Sequence, residues 1–262
     1  MGPLLGIIVA LIMVLLGNML EGGHMSSLVG GPAFMIVIGG TIGAVLVQFP
    51  LPTVKASLGA AGALFKKQSH DHAKIVDEIV DYANRARRDG ILALEKVAPA
   101  ASDPFLAKAL MMAVDGADSA SLRETMEIGL SQLEEGGEDS AKVFEAAGGY
   151  SPTVGIIGAV LGLIHVMSNL SDINAVGSGI AAAFVATIYG VAAANIVFLP
   201  FAGRIKMMVR DEVHLKTMML TGVLAIQEGL NPKLVRERLM SYVHSPHAEK
   251  GAAAAGAPAT AG

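Results

Sequence analysis

Not one cysteine occurs in the 262 residues, and tryptophan is equally absent. The first absence excludes disulfide staples, thiol nucleophiles and cysteine-ligated metal, although it leaves the redox compartment open. Positive charge is scarce: 19 Lys and Arg stand against 23 Asp and Glu, and no basic stripe is interleaved with the few aromatic residues. Nucleic-acid binding therefore has no electrostatic basis. Enzyme motifs are missing too. There is no Gly-x-x-x-x-Gly-Lys-Ser/Thr and no His-Glu-x-x-His, and Gly39-Gly40-Thr41-Ile42-Gly43 lies in an apolar run rather than a phosphate-binding loop. No residue is a candidate for catalysis, so the chain reads as a non-enzyme that needs no cofactor. His70-Asp71-His72 has the residue types of a metal site, but beside Lys66 and Lys67 it reads as solvated surface, and no metal is expected.

What the chain has in excess is apolar sequence. Hydrophobic residues make up 53% and the mean hydropathy is +0.56, which points to the membrane before any soluble class. A hydrocarbon core about 30 Å thick needs roughly 20 apolar helical residues. Four segments qualify: Pro3 to Leu20, Leu28 to Phe49, Pro152 to Leu170 and Ile180 to Phe201. The first lacks the basic start and the small-residue cleavage site of a signal peptide, so it reads as a retained span. Basic residues set the orientation. Eleven of the 19 lie between Lys55 and Lys142 and eight between Arg204 and Lys250, whereas the hairpins Glu21 to Ala33 and Ser171 to Ser178 carry none. Both termini and nearly all polar mass are thereby expected on the cytoplasmic side of the membrane.

The expected fold class is an all-α membrane protein with a helical cytoplasmic domain between the second and third spans. The expected organisation is 1–50 for the first two spans, 51–151 for the cytoplasmic domain, 152–201 for the last two spans, 202–245 for a cytoplasmic helical extension and 246–262 for a disordered tail of Ala, Gly and Pro. From His72 to Asp89, Ile75, Val76, Ile79, Val80, Ala83 and Ala86 recur at helical spacing and Gly90 ends the run. A second helix starts near Asp103-Pro104, and Ser121 with Glu124 forms a capping-box pattern for a third. Beyond the fourth span a helix runs from Arg204 to Gln227, and Leu234, Val235, Leu239 and Val243 mark one more.

Within the spans small residues repeat every four positions, at Gly39 and Gly43, at Gly158 and Gly162, and at Ala186, Gly190 and Ala194. Such stripes suit close helix packing, either inside one subunit or on a separate partner helix. No Asp, Glu, Lys or Arg falls inside any of the four spans. Thr41, Thr187, Asn195 and His165 are the polar groups near mid-membrane, so ions crossing here need a titrating carboxylate from another polypeptide. His165, toward one end of its span, reads as a packed or interfacial histidine rather than a proton carrier.

Several stretches together resemble the MotA and PomA flagellar stator family, within the wider family that includes ExbB and TolQ. They are Pro32-Ala33-Phe34, Gly39 to Ala44, Arg87 to Glu95, Pro152 to Gly158, Thr187-Ile188-Tyr189-Gly190, Pro200 and Gly229-Leu230-Asn231-Pro232. Two spans before the cytoplasmic domain favour the stator branch, because ExbB and TolQ proteins have one helix there. The resemblance implies a ring of five subunits around a dimer of MotB-like chains, each bringing one transmembrane helix with an essential aspartate. It implies that Thr187 lines the ion route, that Gly158, Gly162, Ala186, Gly190 and Ala194 pack near the partner helix, and that Pro152 and Pro200 transmit a protonation-linked movement. For the prolines the residues alone leave open a simpler reading, with Pro152 as a first helical residue and Pro200 as a kink near a helix end. Arg87 and Glu95 match positions that in the family act on the rotor protein FliG, with Arg88 as a helper. Ala159 stands where sodium-driven relatives commonly carry threonine, which favours H+ as the transported ion, with Na+ as the alternative. Competing readings are an ExbB-like energiser of envelope transport and a non-conducting membrane scaffold.

Overall fold

The computed structural model describes residues 2–66, 71–168 and 173–243, and among these every regular element is helical. Lys67, His70, Leu170 and the expected tail lie outside the described residues. The helices are α1 (Gly2–Leu20), α2 (Gly31–Phe34), α3 (Gly40–Gln48), α4 (Leu51–Ala63), α5 (His72–Asp89), α6 (Pro104–Val114), α7 (Ser119–Ser168), α8 (Ile173–Ala192), α9 (Leu199–Gln227) and α10 (Pro232–Val243). Two π-helical stretches join some of them: Met35–Gly39 links α2 to α3, and Ala193–Phe198 links α8 to α9. Four helical stretches are long and apolar enough to cross a membrane. The second starts its α-helix at Gly31 rather than Leu28, with Pro32 in its first turn, where a missing N–H costs nothing. Much of the expected hairpin Ser171 to Ser178 is already helix, since α8 begins at Ile173.

Contacts divide the described residues into two compact units. One takes 2–66, 135–168 and 173–208; the other takes 71–134 and 209–243. In the first unit α4 and residues 135–151 group with the spans. Phe201 meets Phe65 and Phe144 edge-on, each at 5.8 Å, and Lys206 Nζ lies 2.7 Å from Glu145 Oε1.

The second unit has a large apolar core. Asp71 caps α5 by accepting from the Lys74 N–H at 3.4 Å, so this acid of the His-Asp-His stretch has a structural part. Ile75, Val76, Ile79, Val80 and Ala83 are buried along one face. Gly90 ends the helix at φ +82°, a conformation that favours glycine. Asp103 caps α6 through Phe105 N at 2.7 Å, and Leu106 and Leu110 are fully buried. The cap of α7 is Asp118 and not Ser121: its Oδ1 accepts from Ala120 N and Ser121 N, both at 3.0 Å. Hydrogen bonds from the Ser121 side chain and backbone hold the Asp118 carboxyl below its ordinary pKa. α9 approaches α5 closely because Gly222 leaves room for Ile79; a Cβ at Gly222 would lie 2.7 Å from Ile79 Cγ2. On α10, Val235 and Leu239 are fully buried, but Leu234, expected among the apolar markers, is 53% exposed.

Candidate functional site

The site is built where the helical run from α8 crosses the membrane part of α7. A Cβ placed on Gly190 would come 2.5 Å from the Ser151 carbonyl, 3.1 Å from Gly155 Cα and 3.2 Å from Pro152 Cα. One placed on Gly155 would come 2.9 Å from the Ala186 carbonyl. Two backbones therefore touch here, which only glycine permits. The crossing continues along α7: a Cβ on Gly158 would meet Ala186 Cβ at 2.9 Å, and one on Gly162 would meet Ala183 Cβ at 3.1 Å. In the other direction from Gly158, a Cβ on Gly40 would meet Val154 at 2.7 Å, so the second span joins the same packing.

This brings Pro152, Gly158, Gly162, Ala186, Thr187 and Gly190 to one crossing. Thr187 Cα is 3.5 Å from the Cβ position of Gly155, its side chain is half-buried, and its hydroxyl donates to the Ala183 carbonyl at 3.4 Å. Ala159, half-buried, lies one turn beyond Gly155 on the same helix face. Ala194 is buried inside the π-helical stretch. Gly39 and Gly43 behave differently, because a Cβ on either meets nothing within 4 Å. In the second span it is Gly40 that makes the intrachain contact.

Pro152 departs from its simpler reading. Pro152 sits inside the 50-residue α7 rather than at its first turn. Its missing N–H leaves the Gly148 carbonyl without the usual partner four residues on. Gly148 is also where a Cβ would strike Leu199 Cδ2 at 2.6 Å. Leu199 immediately precedes Pro200, so the weakened turn below one proline packs against the residue next to the other. Pro200 is in the first turn of the 29-residue α9, directly after the π-helical stretch Ala193–Phe198. At the end of that stretch Leu199 N donates to Ala194 O, and α9 runs on to Gln227.

Two groups in the site were not legible in the sequence. Tyr189 donates its hydroxyl to the Leu28 carbonyl at 2.6 Å and accepts from Gly30 N at 3.1 Å, so it satisfies non-helical backbone where lipid would not. Its ring also meets Phe34 edge-on at 6.4 Å. Ser151 is the second. Thr41, Ser57, Ser140, Ser168 and Thr187 each donate to the carbonyl four residues earlier, whereas the Ser151 hydroxyl is buried without a partner. It stands beside Pro152, and its carbonyl faces Gly190.

Arg87, Arg88 and Glu95 lie in the other unit. The arginines occupy the last turn of α5, where cations complement the helix dipole. Glu95 follows the 3-10 turn Ile91–Leu94. All three are exposed and form no ion pair among the described residues. Asn195 donates back to Val191 at 2.9 Å, and His165 lines a groove with Pro32 and Ala186. Among the described residues no group of three or more His, Asp or Glu is placed to hold a metal ion.

The geometry has a counterpart in known proteins. Residues 4–89 match the model "Motility protein A N-terminal", and residues 97–218 match "MotA/TolQ/ExbB proton channel family". Motility protein A of Bacillus subtilis (strain 168) is 36% identical over 92% of this chain and 89% of its own length. The chain belongs to the motility protein A branch of the MotA/TolQ/ExbB proton channel family. Solved structures agree. A chain of the C. jejuni MotAB structure superposes with a TM-score of 0.89 at 30% identity, covering 94% of this chain and 97% of that one. A chain of the flagellar MotAB stator complex from Bacillus subtilis superposes with a TM-score of 0.87 at 35% identity, covering 95% and 98%.

Proposed function

We propose that this chain is the ion-channel subunit of a flagellar stator, multi-pass in the bacterial inner membrane with both termini cytoplasmic, and that it works with a MotB-like partner. The observation that carries the reading is the glycine-lined crossing at Gly155 and Gly190, with Pro152 and Thr187 at its edge and no carboxylate in any span. The partner's transmembrane helix brings the aspartate that this chain lacks. Five copies surround the partner dimer, Thr187 and Ala159 line the route, and H+ is the ion carried. Gly158, Gly162, Ala186, Gly190 and Ala194 let the spans sit close enough to respond to the partner helix.

Neutralising that aspartate tips the packing between two arrangements, with Pro152 and Pro200 as the positions that yield. One charge crossing 100 mV releases about 2.3 kcal/mol, so the two arrangements differ by only a few kcal/mol. Arg87, Arg88 and Glu95 pass the motion to FliG. Exposed ion pairs contribute about 0–1 kcal/mol each, which suits contacts that form and break at every step.

The test is proton flux in cells producing the chain with a MotB-like partner freed of its plug. The wild type conducts, and changing the partner's aspartate to asparagine abolishes flux. Reversing Arg87→Glu and Glu95→Lys together stops swimming while flux continues. Absence of flux from the wild-type pair overturns the channel reading; normal swimming of the double reversal overturns the rotor assignment alone.

A further inference from the structure

An open groove of about 520 Å³ runs between α1 and the end of the fourth span, within the roughly 300–1,000 Å³ typical of ligand clefts. Its walls are apolar or small: Gly6 and Ala10 on one side, Ile196 and Phe201 on the other, with Asn195 and Arg204 as its polar members. It exists because α1 is the least buried of the four candidate spans. None of its span window is buried, and it touches the following run at the π-helical stretch Ala193–Phe198. Gly6 adds to the opening, since a Cβ there would meet nothing within 4 Å.

Arg204 gives the groove its chemistry. The first two cations after the fourth span differ. Lys206 is paired with Glu145 at 2.7 Å, whereas Arg204 forms no ion pair among the described residues and lines the groove. A guanidinium beside an apolar cleft favours an anion attached to apolar chains, and its planar fork matches phosphate oxygens two at a time. We infer that this groove holds an anionic phospholipid, with Arg204 on the headgroup phosphate and an acyl chain along Gly6, Ala10 and Ile196.

The experiment is native mass spectrometry of the full-length chain co-purified with its partner, titrated with phosphatidylglycerol and, separately, phosphatidylcholine. The wild type should retain phosphatidylglycerol about tenfold more tightly than phosphatidylcholine. Arg204→Gln should erase that preference, and Lys206→Gln should leave it intact because that cation is already paired. Gly6→Leu, whose Cβ meets nothing within 4 Å, adds bulk to the cleft and should lower retention of both lipids. Equal retention of the two lipids by the wild type, or an unchanged preference in Arg204→Gln, overturns the inference. The absence of native cysteine allows a second check with Ala10→Cys and Ile196→Cys, made singly and co-produced. A disulfide between two copies would place a second chain in the groove and also overturn it, whereas no cross-link supports lipid.

Discussion

In the unit formed by the spans, helices meet where side chains are missing; in the other unit they meet where side chains are largest. The first brings Gly155 against Gly190 and Gly158 against Ala186, and one of its buried clusters is only Ala33, Val37, Val185 and Ala186. The second buries Ile79, Leu94, Leu106, Leu110, Leu122, Met126, Leu215 and Leu239 in a single core. The contrast follows from solvent. In water, burying a leucine contributes about 1.5–3 kcal/mol, so large side chains hold the fold. In lipid that drive is absent, and stability comes from close backbone contact that small residues allow. A crossing of this kind has few interdigitated side chains to lock it, which suits the proposed shift under a single proton.

The sharpest way to break the comparison is to put bulk into each kind of contact. Gly190→Leu places a side chain 2.5 Å from the Ser151 carbonyl and should prevent the crossing from forming. The expected outcome is loss of monodisperse protein on gel filtration in detergent. Gly43→Leu, into open space, should leave the elution profile unchanged. Equal tolerance of both would mean that the crossing is not what holds the spans. Next in size is removal of bulk from the other unit. Leu110→Ala should cost about 2–5 kcal/mol, read as a lower urea midpoint by circular dichroism. The same truncation at Ile157, which is 55% exposed in the span unit, should change that midpoint little. The smallest effect belongs to Ser151→Ala. Removing a buried hydroxyl that has no partner should raise thermal stability in detergent by about 1 kcal/mol. A fall of that size would show that the hydroxyl is bonded in the folded protein.

The soluble-type helices were readable where one signal dominates. The α5 face follows from six apolar residues at helical spacing and its end from Gly90, whereas Asp71, which reads as solvated surface, is its cap. The span segments were readable from length and composition, because lipid allows little else. What could not be read were departures from local rules. Pro152 suggests a helix start, yet α7 runs through it and leaves the Gly148 carbonyl without its usual partner. A capping-box pattern favoured Ser121, but Asp118 stands three residues earlier and caps the helix there, accepting from Ala120 N and Ser121 N. Of the glycines in the second span, periodicity pointed to Gly39 and Gly43, whereas contact falls on Gly40. Which face of an all-apolar helix meets a neighbour depends on the neighbour. For the same reason the tie between Tyr189 and Leu28, 161 residues apart, carried no local signal.

The central claim is that this polypeptide supplies the walls of an ion route and not the group that titrates in it. Reconstituting the purified full-length chain alone into liposomes, imposing a potential and recording internal pH tests this most directly. Without a partner helix the trace should match that of empty liposomes, and adding the unplugged partner should open the pathway. Proton entry through the chain alone, at a rate the partner does not change, would contradict the account.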